Sequence, residues 1–190
     1  MELGSVVLES LDLRQEARPI LEALSREAGE TVHLCILEED EVVYIDKVET
    51  TESVRMHSRI GRRAPVYCTA VGKAMLAHLP AEEQERILKA TVFQRRTENT
   101  LASADALRVE LAEIRRDGCS FDREENEAGV RCVAAPIFDY TGRAVAAVSI
   151  TGPTTRMTPE RARELAPAVK SAAGEISKRL AFRADRAAEA

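Results

Sequence analysis

A thiol and two hydroxyls are brought close together by the spacing of a predicted hairpin. The stretch GVRCVAAPIFDYTGRAVAAVSITGP, residues 129–153, consists of two apolar-rich runs around the turn signal DYTG. Side chains alternate across a strand, so Cys132 on the first strand shares a face with Ser149 and Thr151 on the second. With the small residues beside them, these groups suit a pocket for a small carboxylate that carries hydroxyl or keto groups.

The turn also sets the pairing of the two strands. Closure at Asp139 and Gly142 predicts three cross-strand pairs, namely Ala134 with Ala147, Cys132 with Ser149, and Val130 with Thr151. The opposite face is apolar throughout and is predicted to be core: Val133, Ala135, Ile137, Ala144, Ala146, Val148 and Ile150. Each polar group also has an ordinary structural interpretation, because a buried cysteine packs as a small hydrophobe and strand hydroxyls can bind the backbone.

A second candidate contact lies at the start of a short helix. The stretch CTAVGKA predicts a helix capped by Thr69, and the first N–H groups of such a helix, at Ala70 and Val71, attract anions. Gly72 allows another group to approach closely, and that group is either a ligand or the sheet on which the helix packs.

An aspartate at a strand end is the third candidate. Asp122 follows a short predicted strand, where its carboxylate can accept hydrogen bonds from ligand hydroxyls. The commoner fate of an aspartate next to a loop is solvation. Solvation is expected even more strongly for Glu124, Glu125 and Glu127 in the loop that follows.

Catalytic and metal chemistry find less support in the chain. It has no glycine-rich phosphate loop, no HExxH and no nucleophile elbow. The four cysteines are widely spaced and form no CxxC pair, which is typical of reduced thiols in a cytosol. His33 and Cys35 share a strand face, but a metal would need ligands from distant segments, so no metal or cofactor is expected. A thiol-dependent reductase is the alternative, and it requires a lowered pKa of Cys132 and a second cysteine within reach.

Composition sets the broad class of the protein. The chain has 190 residues, of which 45% are hydrophobic, and a formal net charge of -5. One domain with an ordinary core fits this length, and an acidic chain is a poor match for a strong phosphate-binding surface. There is no apolar run of about eighteen residues and no secretion signal, so a cytoplasmic protein without membrane contact is expected.

The order of predicted elements favours an α+β fold with a mainly antiparallel sheet. A capping-box pattern at Asp12 predicts a helix that ends at Gly29 and is kinked or split by Pro19. The following predicted elements are a hairpin over residues 31–47, a strand over 52–59, a loop over 60–65, helices after Thr69, Pro80 and Ser103, a strand near 119–122, the hairpin and a last helix after Thr158.

Three separate segments carry a family resemblance. RIGRRAPVYCTAVGKAMLA, FDREENEAGVRCVAAPIFD and VAAVSITGP, in this order and spacing, resemble the effector-binding domain of IclR-type bacterial transcriptional regulators. The resemblance covers about residues 3–182 and implies a curved, mainly antiparallel six-stranded sheet flanked by helices, similar to GAF and profilin-like sensor domains. It also implies a non-catalytic sensor that is a homodimer or homotetramer.

In that family a small-molecule effector lies on the concave face of the sheet, against the start of a helix. By position, the resemblance implies effector contacts from Ala70, Val71, Asp122, Cys132, Ser149 and Thr151, with Met56 and Val130 as apolar walls. VRMHSRIGRRAPVYCTAVGKA and RRTENTLASADAL look most like the branch that senses 2-keto-3-deoxygluconate and represses sugar-acid catabolism. A small carboxylate such as a keto or sugar acid is therefore the expected partner.

The resemblance also implies domain boundaries. Residues 1–12 correspond to the remnant of a linker helix, 13–183 to the effector-binding domain, and 184–190 to a frayed tail. Members of the family carry an N-terminal winged helix-turn-helix, which these residues lack, so DNA is expected to be a partner only through such a domain in the parent protein. Arg59, Arg62 and Arg63 are expected to be solvated or at a subunit contact. A pure dimerisation module, with a pocket kept only for packing, is a further alternative.

Overall fold

Five helices and six strands make up the part of the chain that the computed structural model describes, residues 2–49 and 58–180, with side chains from residue 13 onward. The helices are α1 Glu2–Ala28, α2 Ala70–Leu76, α3 Ala81–Ala90, α4 Ala104–Asp117 and α5 Pro159–Arg179. The strands are β1 Thr31–Glu38, β2 Glu41–Val48, β3 Arg63–Pro65, β4 Ser120–Arg123, β5 Val130–Phe138 and β6 Ala144–Pro153.

The six strands form one curled sheet in the order β3-β2-β1-β6-β5-β4, and every neighbouring pair is antiparallel. This confirms the predicted α+β class and the antiparallel sheet. The first and last hairpins of the chain meet at its centre, where β1 pairs with β6. Residues far apart in sequence therefore lie side by side on the central strands.

Both faces of the sheet are covered by helices. Helices α1 and α5 pack on one face, over a core that includes Leu21, Val133 and Ile150. The other face carries a second core around α2 and α4, with Met75 and Leu107 fully buried. The small face of the β5–β6 hairpin is thus buried as well, and the space between the sheet and α2 is where a cavity can form.

The β5–β6 register differs from the predicted one by two residues. Cys132 pairs with Thr151 rather than with Ser149, Ala134 with Ser149 rather than with Ala147, and Val130 with Pro153 rather than with Thr151. The turn closes between Asp139 and Arg143, which adds one residue, and a bulge between Ile137 and Phe138 adds another. Gly142, at φ 82°, permits this longer turn. Because the total shift is even, the predicted faces are correct although the predicted partners are wrong.

Two further predictions are corrected by the structure. Helix α1 begins at Glu2 rather than near Asp12, and Pro19 does not interrupt it. A proline removes one helical hydrogen bond, and the burial of one face of α1 against the sheet compensates for that loss. Strand β3 lies at Arg63–Pro65, in the segment predicted as a loop, because Ala64 pairs with Val42. Most of the strand predicted over 52–59 lies outside the described residues.

The caps predicted for the later helices are confirmed. The side chains of Thr69, Ser103 and Thr158 each accept a backbone N–H in the first turn of α2, α4 and α5. Helix α4 ends at Gly118 in the left-handed conformation, as the sequence predicts. No helix in the described ranges is long and apolar enough to cross a membrane.

Candidate functional site

A cavity of about 250 Å³ lies between the curled sheet and the start of α2. Seven of the eight predicted effector contacts line it: Ala70, Val71, Asp122, Val130, Cys132, Ser149 and Thr151. Met56, the eighth, lies outside the described residues. Three parts of the chain that are distant in sequence therefore converge on one space.

Strand register places the polar side chains in this cavity. Thr151 on β6 pairs with Cys132 on β5, and Cys132 pairs with Asp122 on β4, so the three lie in one row across the sheet. In the adjacent row, Ser149 on β6 pairs with His33 on β1. Directly paired residues point to the same face, so both rows present their side chains to the cavity.

A chain of hydrogen bonds runs along the sheet wall. The Thr151 hydroxyl donates to Cys132 Sγ at 3.2 Å and lies 3.3 Å from His33 Nδ1. His33 Nε2 lies 2.6 Å from Ser58 Oγ. Burial lowers the pKa of His33 to about 3, and the nearby charge of Lys47 acts in the same direction. The imidazole is thus neutral, with one donor and one acceptor nitrogen for its two hydroxyl neighbours.

Asp122 is buried at 3% exposure, which corrects the expectation of a solvated carboxylate. Its Oδ1 accepts the backbone N–H groups of Glu125 at 2.7 Å and Asn126 at 3.4 Å. Its Oδ2 makes no hydrogen bond within the described ranges. Burial raises the pKa of Asp122 to about 7, and the charge of Glu125 adds to this effect. Near neutral pH the group can therefore donate as well as accept.

The free energy of unfolding of Asp122→Asn, compared with that of wild type, is expected to increase as the pH rises. The native pKa of about 7 exceeds the ordinary value of 3.8, so native Asp122 holds a proton that the unfolded chain releases between these values. Stability then falls as pH rises through that window, by on the order of 2 kcal/mol between about pH 5 and 8. Asparagine keeps the Oδ1 acceptor and does not titrate. Urea unfolding at both pH values measures the effect, and parallel pH dependences of the two proteins would contradict it.

The loop after β4 is held by a buried ion-pair network that the sequence does not reveal. Lys73 on α2 is fully buried, and its Nζ lies 2.6 Å from Glu125 Oε1 and 2.7 Å from Glu110 Oε1. Thr100 donates to the Glu125 carbonyl oxygen at 2.7 Å. Glu125 is 3% exposed, so its predicted solvation is wrong. The network ties α2, which lines one wall of the cavity, to the loop that holds Asp122 in place.

Other cavity residues have weaker sequence signals. The alternation of β1 offers His33 only as a candidate metal ligand, whereas in the structure its partners are hydroxyls. Arg62, Arg63 and Arg96 are exposed and also line the cavity. Arg63 pairs with Glu41 at 3.2 Å and with Glu38, so its charge at the cavity is partly neutralised.

The thiol environment opposes the reductase alternative. Burial raises the pKa of Cys132, and the neighbouring charge of Asp122 raises it further. A reactive cysteine needs the opposite shift, because the thiolate is the nucleophile. Among the residues described, no three His, Cys, Asp or Glu side chains come together in a way that could hold a metal ion.

Comparison with known proteins agrees with the resemblance found in the sequence. A family model described as bacterial transcriptional regulator IclR, C-terminal, matches residues 5–178. The HTH-type transcriptional regulator KdgR of Escherichia coli K12 is 41% identical over 181 residues, which cover 95% of this chain and 69% of that protein. The curated relatives carry names of transcriptional regulators and repressors, which confirms the non-catalytic prediction.

Solved structures show the same fold. The crystal structure of Thermotoga maritima IclR matches with a TM-score of 0.88 and 41% identity, over 95% of this chain and 73% of that one. An IclR homologue from Microbacterium hydrocarbonoxydans, complexed with 4-hydroxybenzoate, matches with a TM-score of 0.80 and 28% identity, over 90% of this chain and 69% of that one. The chain spans 59% to 69% of the lengths of the first three curated relatives. The match over residues 5–178 and the identity to KdgR show that the chain belongs to the IclR family of bacterial transcriptional regulators, as their C-terminal domain.

Proposed function

We propose that this chain is the effector-sensing domain of an IclR-family regulator and that its effector is a small carboxylate with hydroxyl or keto oxygens. The observation that carries this proposal is the polar cavity between the sheet and α2. An enclosed space with a few converging polar groups is the usual form of a small-molecule site. The effector contacts proposed are the seven cavity residues named above, with Met56 as a further proposed wall.

The lining favours an oxygen-rich ligand. Hydroxyls of Ser149 and Thr151, the thiol of Cys132 and the free oxygen of Asp122 converge from three strands. A partly protonated Asp122 can donate to a carboxylate or accept from a hydroxyl. The cavity volume of about 250 Å³ suits a small organic acid rather than a drug-sized ligand.

Two classes of effector have support from the relatives of this chain. The segments that resemble the 2-keto-3-deoxygluconate branch support a hydroxylated keto acid, and so does the similarity to KdgR. The 4-hydroxybenzoate in the M. hydrocarbonoxydans structure supports an aromatic acid. The thiol and hydroxyls on the sheet wall favour the keto acid, because an aromatic ring would leave several of them without partners.

One ligand in a panel of pyruvate, glyoxylate, 2-keto-3-deoxygluconate and 4-hydroxybenzoate is expected to raise the unfolding midpoint. Binding to the native state stabilises it by mass action, by about 2.7 kcal/mol at 100 times the dissociation constant. Ser149→Ala is expected to weaken binding about five- to tenfold, since it removes a hydrogen bond inside the cavity. Thermal unfolding and calorimetry measure both effects.

A buried serine remote from the cavity serves as the control. Ser25 on α1 donates to the Glu30 carbonyl oxygen at 2.9 Å, so Ser25→Ala should change stability without changing affinity. Equal affinities for wild type and Ser149→Ala would contradict the site. A panel without any shift would favour the pure dimerisation module.

Regulation of transcription requires parts of the parent protein beyond the pocket. We propose that the N-terminal domain of that protein binds DNA. We also propose that the effector-sensing domain forms a homodimer or homotetramer. A ligand can change DNA binding only if it prefers one arrangement of the subunits over another. The closing of the sheet and α2 around the effector would provide that preference.

A further inference from the structure

Tyr44 lines the cavity from the wall opposite to Asp122. It lies on β2, whereas Asp122 lies on β4, and three strands separate them in the sheet. Neighbouring strands are about 4.8 Å apart, so the two residues lie at separate places along the sheet rather than in one patch. Both line the same cavity. A ligand must therefore extend across the cavity to touch both.

The Tyr44 ring is held in place before any ligand binds. It packs edge-on against His33, with the ring centroids 5.1 Å apart. Its backbone N–H donates to the Arg62 carbonyl oxygen at 3.1 Å, and its carbonyl oxygen accepts from the Gly61 N–H at 2.8 Å. A contact made by this side chain would cost little additional ordering.

The Tyr44 hydroxyl has no hydrogen-bond partner in residues 13–49 and 58–180. Tyr44 is half-buried and lines the cavity, so this hydroxyl is available to a molecule that binds there. The charged and titratable groups that face it are Cys35 on β1, Cys132 on β5, Arg62 and Asp122. Burial raises its pKa, and both thiols act in the same direction, so the hydroxyl remains protonated and able to donate.

We propose that the Tyr44 hydroxyl binds an oxygen of the effector at the end of the cavity opposite Asp122, and so selects longer hydroxylated acids over two- and three-carbon keto acids. This inference rests on the proposed sensor function. It gives a ligand to a hydroxyl that bonds to none of the described residues, and it sets a minimum length for the ligand. A short keto acid reaches one wall, and only a longer acid reaches both.

Tyr44→Phe is the test, because it removes one oxygen and keeps the ring. Calorimetry is expected to show about five- to tenfold weaker binding of 2-keto-3-deoxygluconate, with pyruvate binding unchanged. The midpoint of the free protein should be unchanged or raised, since the lost hydroxyl makes no hydrogen bond to the part of the chain that the structure describes. Tyr67 is the matched control: its hydroxyl donates to the Gln94 carbonyl oxygen at 2.9 Å, so Tyr67→Phe should lower stability without changing affinity.

The outcomes separate this inference from the function on which it rests. Unchanged binding of the longer acid to Tyr44→Phe overturns the role of Tyr44, and so does equal weakening for both ligands. A wild-type protein that binds pyruvate but not the longer acid overturns the length selection and leaves the sensor function in place. A wild-type protein that binds neither these acids nor 4-hydroxybenzoate overturns both.

Discussion

Lys73→Met is expected to destabilise the protein by about 3–5 kcal/mol, the usual effect of removing one partner from a buried ion pair. Lys73 is fully buried between two carboxylates, those of Glu110 and Glu125. Without the ammonium group, the buried Glu125 carboxylate has no ion-pair partner among the described residues. Burial already raises the pKa of Glu125, and Lys73 opposes that shift. The variant should therefore protonate Glu125 more readily and lose less stability in acid than at pH 8.

Urea unfolding of a small set of variants measures this effect. Lys73→Met combined with Glu125→Gln should recover part of the loss, because no uncompensated charge stays buried at that position. Lys170→Met is the matched control: Lys170 is exposed, and its Nζ donates to the Asp117 carbonyl oxygen at 3.2 Å. The control should change stability by less than about 1 kcal/mol. If Lys73→Met lost no more stability than Lys170→Met, that result would contradict the buried ion-pair network.

Gly72→Ala is expected to destabilise the protein by about 1–3 kcal/mol, in spite of the higher helix propensity of alanine. A Cβ at this position would lie 2.5 Å from both the Cα and the carbonyl oxygen of Val66, and 2.6 Å from Thr69 Oγ1. Backbone atoms cannot move aside without moving the loop that caps α2. Gly72 thus serves close packing against the loop that precedes α2, whereas the packing interpretation from the sequence expected the sheet at this position. A displaced α2 would also shift Ala70 and Val71 in the cavity wall.

A glycine-to-alanine change at Gly174 is expected to have the opposite effect on stability. Gly174 lies within α5, and a Cβ there would meet nothing within 4 Å. Gly174→Ala should therefore stabilise the protein by about 0.5–1 kcal/mol through helix propensity alone. Thermal unfolding of the two variants should show shifts of opposite sign. A stabilising Gly72→Ala would show that the 65–69 loop adapts more easily than its contacts indicate.

Local patterns predict most elements of this fold. The caps at Ser103 and Thr158 and the stop at Gly118 are local chemistry, so they can be predicted from neighbouring residues alone. Strand β3 cannot, because its three residues become a strand only by pairing with β2. The β5–β6 register depends on one residue in the turn and one in a bulge, and alternation carries no information about either.

The site was predictable where alternation and family resemblance act together. Cys132, Ser149 and Thr151 share a face in every register that differs from the predicted one by an even number of residues. Their convergence therefore does not depend on predicting the exact pairs. The burial of Asp122 and Glu125 was not predictable, since it requires Lys73, 52 residues away from Glu125, to reach the loop. Tyr44 has no local signal either: its place in the cavity wall depends on the order of the strands in the sheet.

The two one-residue irregularities of the β5–β6 hairpin separate the length of its tip from the register of its strands. The extra turn residue and the bulged Val145 lie outside the paired ladder, so loss of either one would leave Cys132 opposite Thr151. Loss of one paired residue between Cys132 and Ile137 would instead bring Cys132 opposite Ile150, which faces the α1–α5 core. The hairpin can therefore change length at its tip without altering the pocket, whereas a single deletion within its paired part turns the thiol away from the cavity.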